Sequence, residues 1–289
     1  MRRLALCAMM LAVVAVWGWT FSLMKGPVAE FGVVGFLAVR FAIATVAMGA
    51  LTLRRATRRS LKTGALIGLL LAVAYLSQTF GLRLTTATNT GLITGLFVVF
   101  APLASRALFG VRTRAAHWLA IAVSLVGLGL LTGAGPAPLA PGDGLTLVCA
   151  ACFGLHIALL DRVAKHHDAG VLAFGQIAAA AVVFLVLWPL VDRVAWPSPR
   201  VWFALAVTGL AATAVAFTVQ TFVQQRLSAV ATAVIIVTEP LFAAFFGYVL
   251  AGDRLAALQW LGAALLVSAL VVAEVYPALR RARRPPQAA

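Results

Sequence analysis

Apolar runs and short polar breaks alternate along the whole chain. Ten apolar runs stand out, at roughly 4–24, 33–53, 63–82, 89–109, 115–132, 143–161, 170–190, 200–222, 229–250 and 257–276, each near the ~20 residues that cross a bilayer as helix. The connections between them are as short as packed helical hairpins require, and no stretch between runs is long enough to fold as a soluble domain. The first run, MRRLALCAMMLAVVAVWGWTF, starts with two arginines, as a signal peptide would. It outlasts a typical signal core of about 7–15 residues and meets no small-x-small cleavage pattern, so it is expected to be the first transmembrane helix. The pattern predicts an all-α integral membrane protein with about ten transmembrane helices.

Composition narrows this further. The chain is 63% hydrophobic and 11% charged, with mean hydropathy +1.03. A soluble domain carries about a quarter charged residues. The net charge of +15 comes from 23 Lys and Arg against 8 Asp and Glu. The basic residues sit in short connections and at the ends without an aromatic-basic face, which argues against a nucleic-acid partner. Sorted by side, seventeen Lys and Arg share a side with the termini and five lie opposite, Arg40 being inside the second run. That bias places both termini in the cytoplasm. The loop Arg54–Lys62 carries five of these charges. Cys7, Cys149 and Cys152 lie inside apolar runs and offer no disulfide framework.

The chain also repeats itself. Gly110-Val111-Arg112 followed by His117-Trp118-Leu119-Ala120 matches Gly252-Asp253-Arg254 followed by Gln259-Trp260-Leu261-Gly262, 142 residues on. Trp17-Gly18-Trp19 matches Phe153-Gly154-Leu155 at an offset of 136, which sets Arg40 opposite Gln176. Five runs per copy is an odd number, so the second copy must enter the membrane upside down. The expected organisation is two inverted five-helix repeats, 1–136 and 137–278, followed by a basic cytoplasmic tail, 279–289. Inverted repeats with a site near the bilayer midplane are a transporter signature.

Polar residues inside the runs are the candidate chemistry. Glu239 stands in the middle of the ninth run, and an ionisable group there marks a functional site by default. Pro240 follows it and is expected to kink the helix, since proline removes one backbone bond and crowds the preceding turn. Arg40 is the second buried charge, able either to pair with Glu239 or to attract an anionic solute. An acid and a base buried apart without water would be badly destabilising, so either the two meet or a wet cavity reaches both. Trp17, Tyr75, Gln78, Thr94, His156, Gln176 and Gln220 complete the candidate set, as cavity lining or as helix-to-helix hydrogen bonds. Cys149, Cys152 and His156 share a face, but a closed metal site needs a fourth ligand and none is evident, so neither metal nor cofactor is expected. The chain has no nucleophile elbow, no HExxH and no phosphate-cradling loop.

The ordered set of motifs resembles the drug/metabolite transporter superfamily, in particular its ten-helix EamA-type members. It runs through Trp17-Gly18 with Phe21, Arg40-Phe41, Gln78 with Gly81-Leu82, Thr85-Thr86-Ala87 with Asn89, and Leu92-Ile93-Thr94-Gly95-Leu96. In the second half it continues through Gln220, Gln225, Ser228, Glu239-Pro240-Leu241-Phe242-Ala243-Ala244, Gly252-Asp253-Arg254-Leu255 and Trp260-Leu261-Gly262-Ala263-Ala264-Leu265. The resemblance implies two inverted repeats around a central cavity. Helices one, three, four, six, eight and nine would line it, and two and seven would gate it. It also implies export of small metabolites, amino-acid-like solutes or drugs across a bacterial inner membrane. Partners would be the solute, the bilayer and protons as coupling ion, and the protein would be a monomer or homodimer. Where the family usually has Glu after the Gly of each half's last hairpin, this chain has Val111 and Asp253. An intramembrane enzyme or receptor using the same buried polar groups is the alternative.

Overall fold

Helices follow the apolar runs one for one. The computed structural model describes residues 2–85, 87–133, 140–251 and 254–275. The Gly252-Asp253 turn, Thr86, the expected boundary at 136/137 and the tail 279–289 lie outside them. The helices are α1 (Arg2–Phe31), α2 (Val33–Thr52), α3 (Arg58–Leu84), α4 (Ala87–Gly95), α5 (Phe97–Phe109), α6 (Ala115–Thr132), α7 (Pro141–Val163) and α8 (Ala169–Val191). They continue with α9 (Pro199–Gly209), α10 (Ala216–Gln224), α11 (Ala229–Ile236), α12 (Glu239–Phe246) and α13 (Ala257–Leu270). Pairs α4/α5, α9/α10 and α11/α12 each make one crossing. Nine segments among the described residues are long and apolar enough to cross a membrane, and Ala257–Ala273 is a shorter apolar tenth.

Local chemistry sets the ends. Thr57, Asp168, Ser198 and Ser228 each accept the backbone N–H three residues on, which satisfies a donor that the helix leaves orphaned. The first helix extends beyond the expected end at residue 24, through Pro27 to Phe31. It stops at Gly32, whose φ of +88° no side chain adopts comfortably, and whose N–H still bonds Val28 O at 3.1 Å.

Packing repeats between the halves. A Cβ on Gly18 of α1 would stand 2.6 Å from Phe242 Cβ and 2.7 Å from Ala243 N of α12. A Cβ on Gly154 of α7 would meet Phe100 Cβ and Ala101 N of α5, the residues 142 positions earlier. Likewise Gly68 of α3 lies against the Gln176 carbonyl of α8, and Gly209 of α9 against the Arg40 carbonyl of α2. Only glycine lets backbones approach this closely, and such contacts take the place that the hydrophobic effect holds in water.

Both ends of α2 and α8 are cross-tied. At one end Asp192 Oδ2 accepts Val34 N at 2.6 Å and Gly35 N at 3.1 Å, capping α2 from the end of α8. Its other oxygen meets Arg83 of α3 at 3.3 Å. At the opposite end Arg55 pairs with Asp168 at 3.1 Å. The hairpin between α3 and α4 is held in a similar way: Asp143 accepts from Thr85 and Asn89 while capping its own helix through Ala140 N.

Candidate functional site

The eighth crossing is not a plain helix. Between α9 and α10 the chain widens into a π-helical turn, Leu210–Val215. Such turns are rare and often functional, because they take carbonyls out of the usual ladder. Here the Ala212 carbonyl accepts the Trp17 indole N–H at 2.7 Å and a long contact from Arg40 Nη2 at 3.4 Å. Arg40 Nε donates to Thr213 Oγ1 at 2.7 Å, and Thr213 donates to Thr208 O, five residues back, at 2.9 Å. Arg40 is only 4% exposed. Its remaining contacts are Met24 Sδ at 3.5 Å and the Phe41 ring, 5.8 Å from the guanidinium carbon. Helices α1 and α2 and the π-turn thus converge on one carbonyl and one hydroxyl.

The ninth crossing breaks at Val237-Thr238, and Glu239 and Pro240 open α12. Proline suits this place, because the first turn of a helix has no use for its missing N–H. The turn is closed by Thr238 N and Thr238 Oγ1, both bonded to Ile235 O. The fourth crossing breaks at Leu96, the position 142 residues earlier, with no proline beside it. The breaks are neighbours: a Cβ on Gly95 would lie 3.9 Å from Val237 Cγ2. Glu239 is half-buried, and among the described residues no hydrogen bond or ion pair reaches its carboxylate. It is within electrostatic range of both Arg40 and Tyr75. The expected choice between a direct pair and separate charges therefore resolves in one respect: Arg40 is tied to the π-turn, and Glu239 stands near it without touching.

The other candidates divide into two sets. Tyr75 joins Phe41, Phe153 and Phe184 in edge-on ring contacts with centroids 5.4–6.5 Å apart. Gln78 donates to Thr94 at 3.3 Å, linking α3 to α4 just before the Leu96 break. Tyr75, Gln78 and Thr94 are half-buried, like Trp17 and Glu239. His156, Gln176 and Gln220 are fully buried, at 0–3% exposure. His156 Nε2 meets Gln176 Oε1 at 2.8 Å, and Gln176 Nε2 reaches Leu172 O and Thr221. Gln220 donates to Gln224, which donates to the Ile157 carbonyl. The structure thus gathers Trp17, Arg40, Tyr75, Gln78, Thr94 and Glu239 around the breaks and the π-turn. His156 and Gln176 lie in an interhelical bond between α7 and α8, whereas Gln220 bonds within α10 and leaves its buried Oε1 without a partner. Three elements of the arrangement escape sequence reasoning: the Ala212 carbonyl, Thr213 as the partner of Arg40, and the break at Leu96. Thr213 carries a weak signal, being one of the few polar side chains in its crossing.

Comparison with known proteins fits this architecture. The pattern of the EamA-like transporter family matches residues 4–133 and again 140–274. An uncharacterized transporter of Archaeoglobus fulgidus is 30% identical over 263 residues, covering 91% of this chain and 83% of its own length. The uncharacterized inner membrane transporter YedA of Escherichia coli K12 is 25% identical over 278 residues, 93% of this chain and 90% of its own. A solved crystal structure of a protein superposes with a TM-score of 0.82 at 21% identity, covering 94% of this chain and 99% of its own, and so shares the fold.

Proposed function

The chain belongs to the EamA-like transporter family, and on that premise we propose that it is a secondary transporter exporting a small metabolite, amino-acid-like solute or drug by alternating access, with Glu239 as the group that exchanges partners. One observation carries this reading. Glu239 sits at a helix break inside the membrane, half-buried and without a bonded partner, while the nearby cation Arg40 is bonded to Thr213. A carboxylate kept in that condition is expensive unless something else binds there. A proton or a cationic group of the solute meets the need, and either links occupancy to the pH gradient.

Other features support the frame. The exchanged contacts Gly18–Phe242 and Gly154–Phe100, and Gly68–Gln176 and Gly209–Arg40, are what an upside-down second copy would make. The two breaks then lie near the axis that relates the halves, where a central site belongs. Helices α2 and α8, tied at both ends, would move as a pair and not apart. The Lys and Arg bias orients both termini to the cytoplasm of a bacterial inner membrane.

The test is flux in proteoliposomes with and without an imposed pH gradient, across candidate metabolites, amino acids and organic cations. E239Q should lose gradient-driven flux by about tenfold or more, while E239D retains part of it and both variants stay folded. Flux and pH response in E239Q that match the parent would remove Glu239 from the mechanism. Absence of flux for every class, with turnover of a lipid instead, would favour the enzyme reading.

A further inference from the structure

We propose that the exposed cationic patch formed by Arg54, Arg58, Arg59 and Lys62 binds the headgroup phosphate of an anionic phospholipid, and that this lipid steadies the joint between the α2–α3 and α7–α8 connections. The patch concentrates charge without answering it. Four exposed cations fall within nine residues, and among the described residues none of the four has a hydrogen bond or an ion pair. The fifth, Arg55, is the one with a partner, Asp168. The first turn of α3 holds no acid, so Arg58 and Arg59 stand where the helix itself is already positive. Arg59 also acts on His167, beside His166, across the joint. A cluster of this kind is self-repelling until an anion enters it.

The surroundings select a lipid over a free ion. Leu51, Leu53 and Leu66 are 77%, 55% and 61% exposed on the helix ends that flank the cations. Exposed apolar side chains beside cations match the two parts of one phospholipid, and clustered basic residues at a helix end are a known form of headgroup recognition. The same short segment carries the ties that would benefit. Arg55 meets Asp168 at 3.1 Å, and Ser60 Oγ meets His167 Nδ1 at 2.8 Å. A phosphate over Arg58 and Arg59 offsets the positive charge that Arg59 presents to His167 beside that contact.

The experiment uses the full chain in nanodiscs of phosphatidylcholine with increasing phosphatidylglycerol, read by bound-lipid mass and by unfolding temperature. Phosphatidylglycerol should bind saturably, weaken with salt, and raise the unfolding temperature. Each basic residue near an anionic headgroup contributes roughly fivefold in affinity, so R54Q/R58Q/R59Q/K62Q should bind about 600-fold more weakly and lose the stabilisation. R193Q, beyond the opposite end of α8, should keep both. If the quadruple variant does not fold, R58Q/R59Q and the lipid dependence of the parent carry the test. Equal binding by parent and variant would overturn the proposal. So would inorganic phosphate in detergent stabilising the parent as well as the lipid does, since that marks a free-anion site.

Discussion

Replacing Thr213 with valine removes one hydroxyl and keeps the shape, and its cost should depend almost entirely on Arg40. In the parent, Thr213 Oγ1 accepts from Arg40 Nε at 2.7 Å and donates to Thr208 O at 2.9 Å, with Thr213 fully buried. A bond to a charged group is worth about 1.5–3 kcal/mol, and leaving that group unpaired forfeits most of it. The neutral bond to Thr208 is worth about 0.6 kcal/mol, the average for polar side chains between membrane helices. The other Arg40 contacts, at 3.4 and 3.5 Å, are too long to compensate. T213V should therefore destabilise by about 2–3.5 kcal/mol. T213S, which loses only a methyl group, should cost about 0.8 kcal/mol.

Two comparisons isolate the cause. In an R40L background the buried donor is gone, and T213V should then cost only about 0.6 kcal/mol. T221V removes a neutral partner that lies 3.5 Å from Gln176 Nε2, and should cost about 0.6 kcal/mol in the parent. The measurement is reversible unfolding of the purified protein in mixed micelles by a denaturing detergent, followed by helical content. If T213V and T221V agree within about 0.5 kcal/mol, or if R40L leaves the cost of T213V unchanged, Arg40 is not anchored by Thr213 as argued.

Other outcomes follow from separate contacts. G68A places a methyl group on the Gln176 backbone carbonyl and should cost about 1–3 kcal/mol by thermal unfolding, whereas G91A, with nothing within 4 Å of its new Cβ, should be neutral or slightly stabilising. Burial first, then the charges of Arg59 and His166, hold His167 below its ordinary value of 6.5. The folded state therefore binds fewer protons than the unfolded one, so the contribution is complete above about pH 6.5 and falls as the pH drops below it. H167N should flatten that slope between pH 7.5 and 5.5 in detergent unfolding, and an unchanged slope would assign the dependence to another group. A tag inserted in the Arg54–Lys62 loop should be protected from external labelling in intact cells, and labelling from outside would reverse the proposed orientation.

Much of the fold is legible because a bilayer leaves few options. A run of about 20 apolar residues has to be helical, since no water is present to satisfy exposed backbone groups. The runs expected from 170, 200 and 229 start within a residue of α8, α9 and α11, whereas α3 starts at Arg58, before the expected 63, where Thr57 caps it. The breaks were half visible. Pro240 announces one, because it cannot donate to the turn before it. At Leu96 no residue forbids a helix, so no local signal announces the break. The π-turn was not visible at all, because Leu-Ala-Ala-Thr-Ala-Val suits an ordinary helix equally well. The groups that meet it are distant in sequence: Arg40 reaches Thr213 and the Ala212 carbonyl across 173 and 172 positions.

The same distance in sequence explains why the roles of Arg40 and Glu239 could not be separated beforehand. Each lacks a counterpart in the other half: Gln176 stands opposite Arg40, and Phe97, first residue of α5, stands opposite Glu239. Two opposite charges in a medium of low dielectric attract strongly, so a loose pair would be expected to close. It stays open while Arg40 Nε is bonded to Thr213 at 2.7 Å, since moving the guanidinium would break that bond. Arg40 thus acts on Glu239 at a distance, as a fixed field. On the transporter reading this division has a use. A ligand or proton can enter and leave at Glu239 without first breaking a salt bridge, so the exchange costs only what binding itself changes.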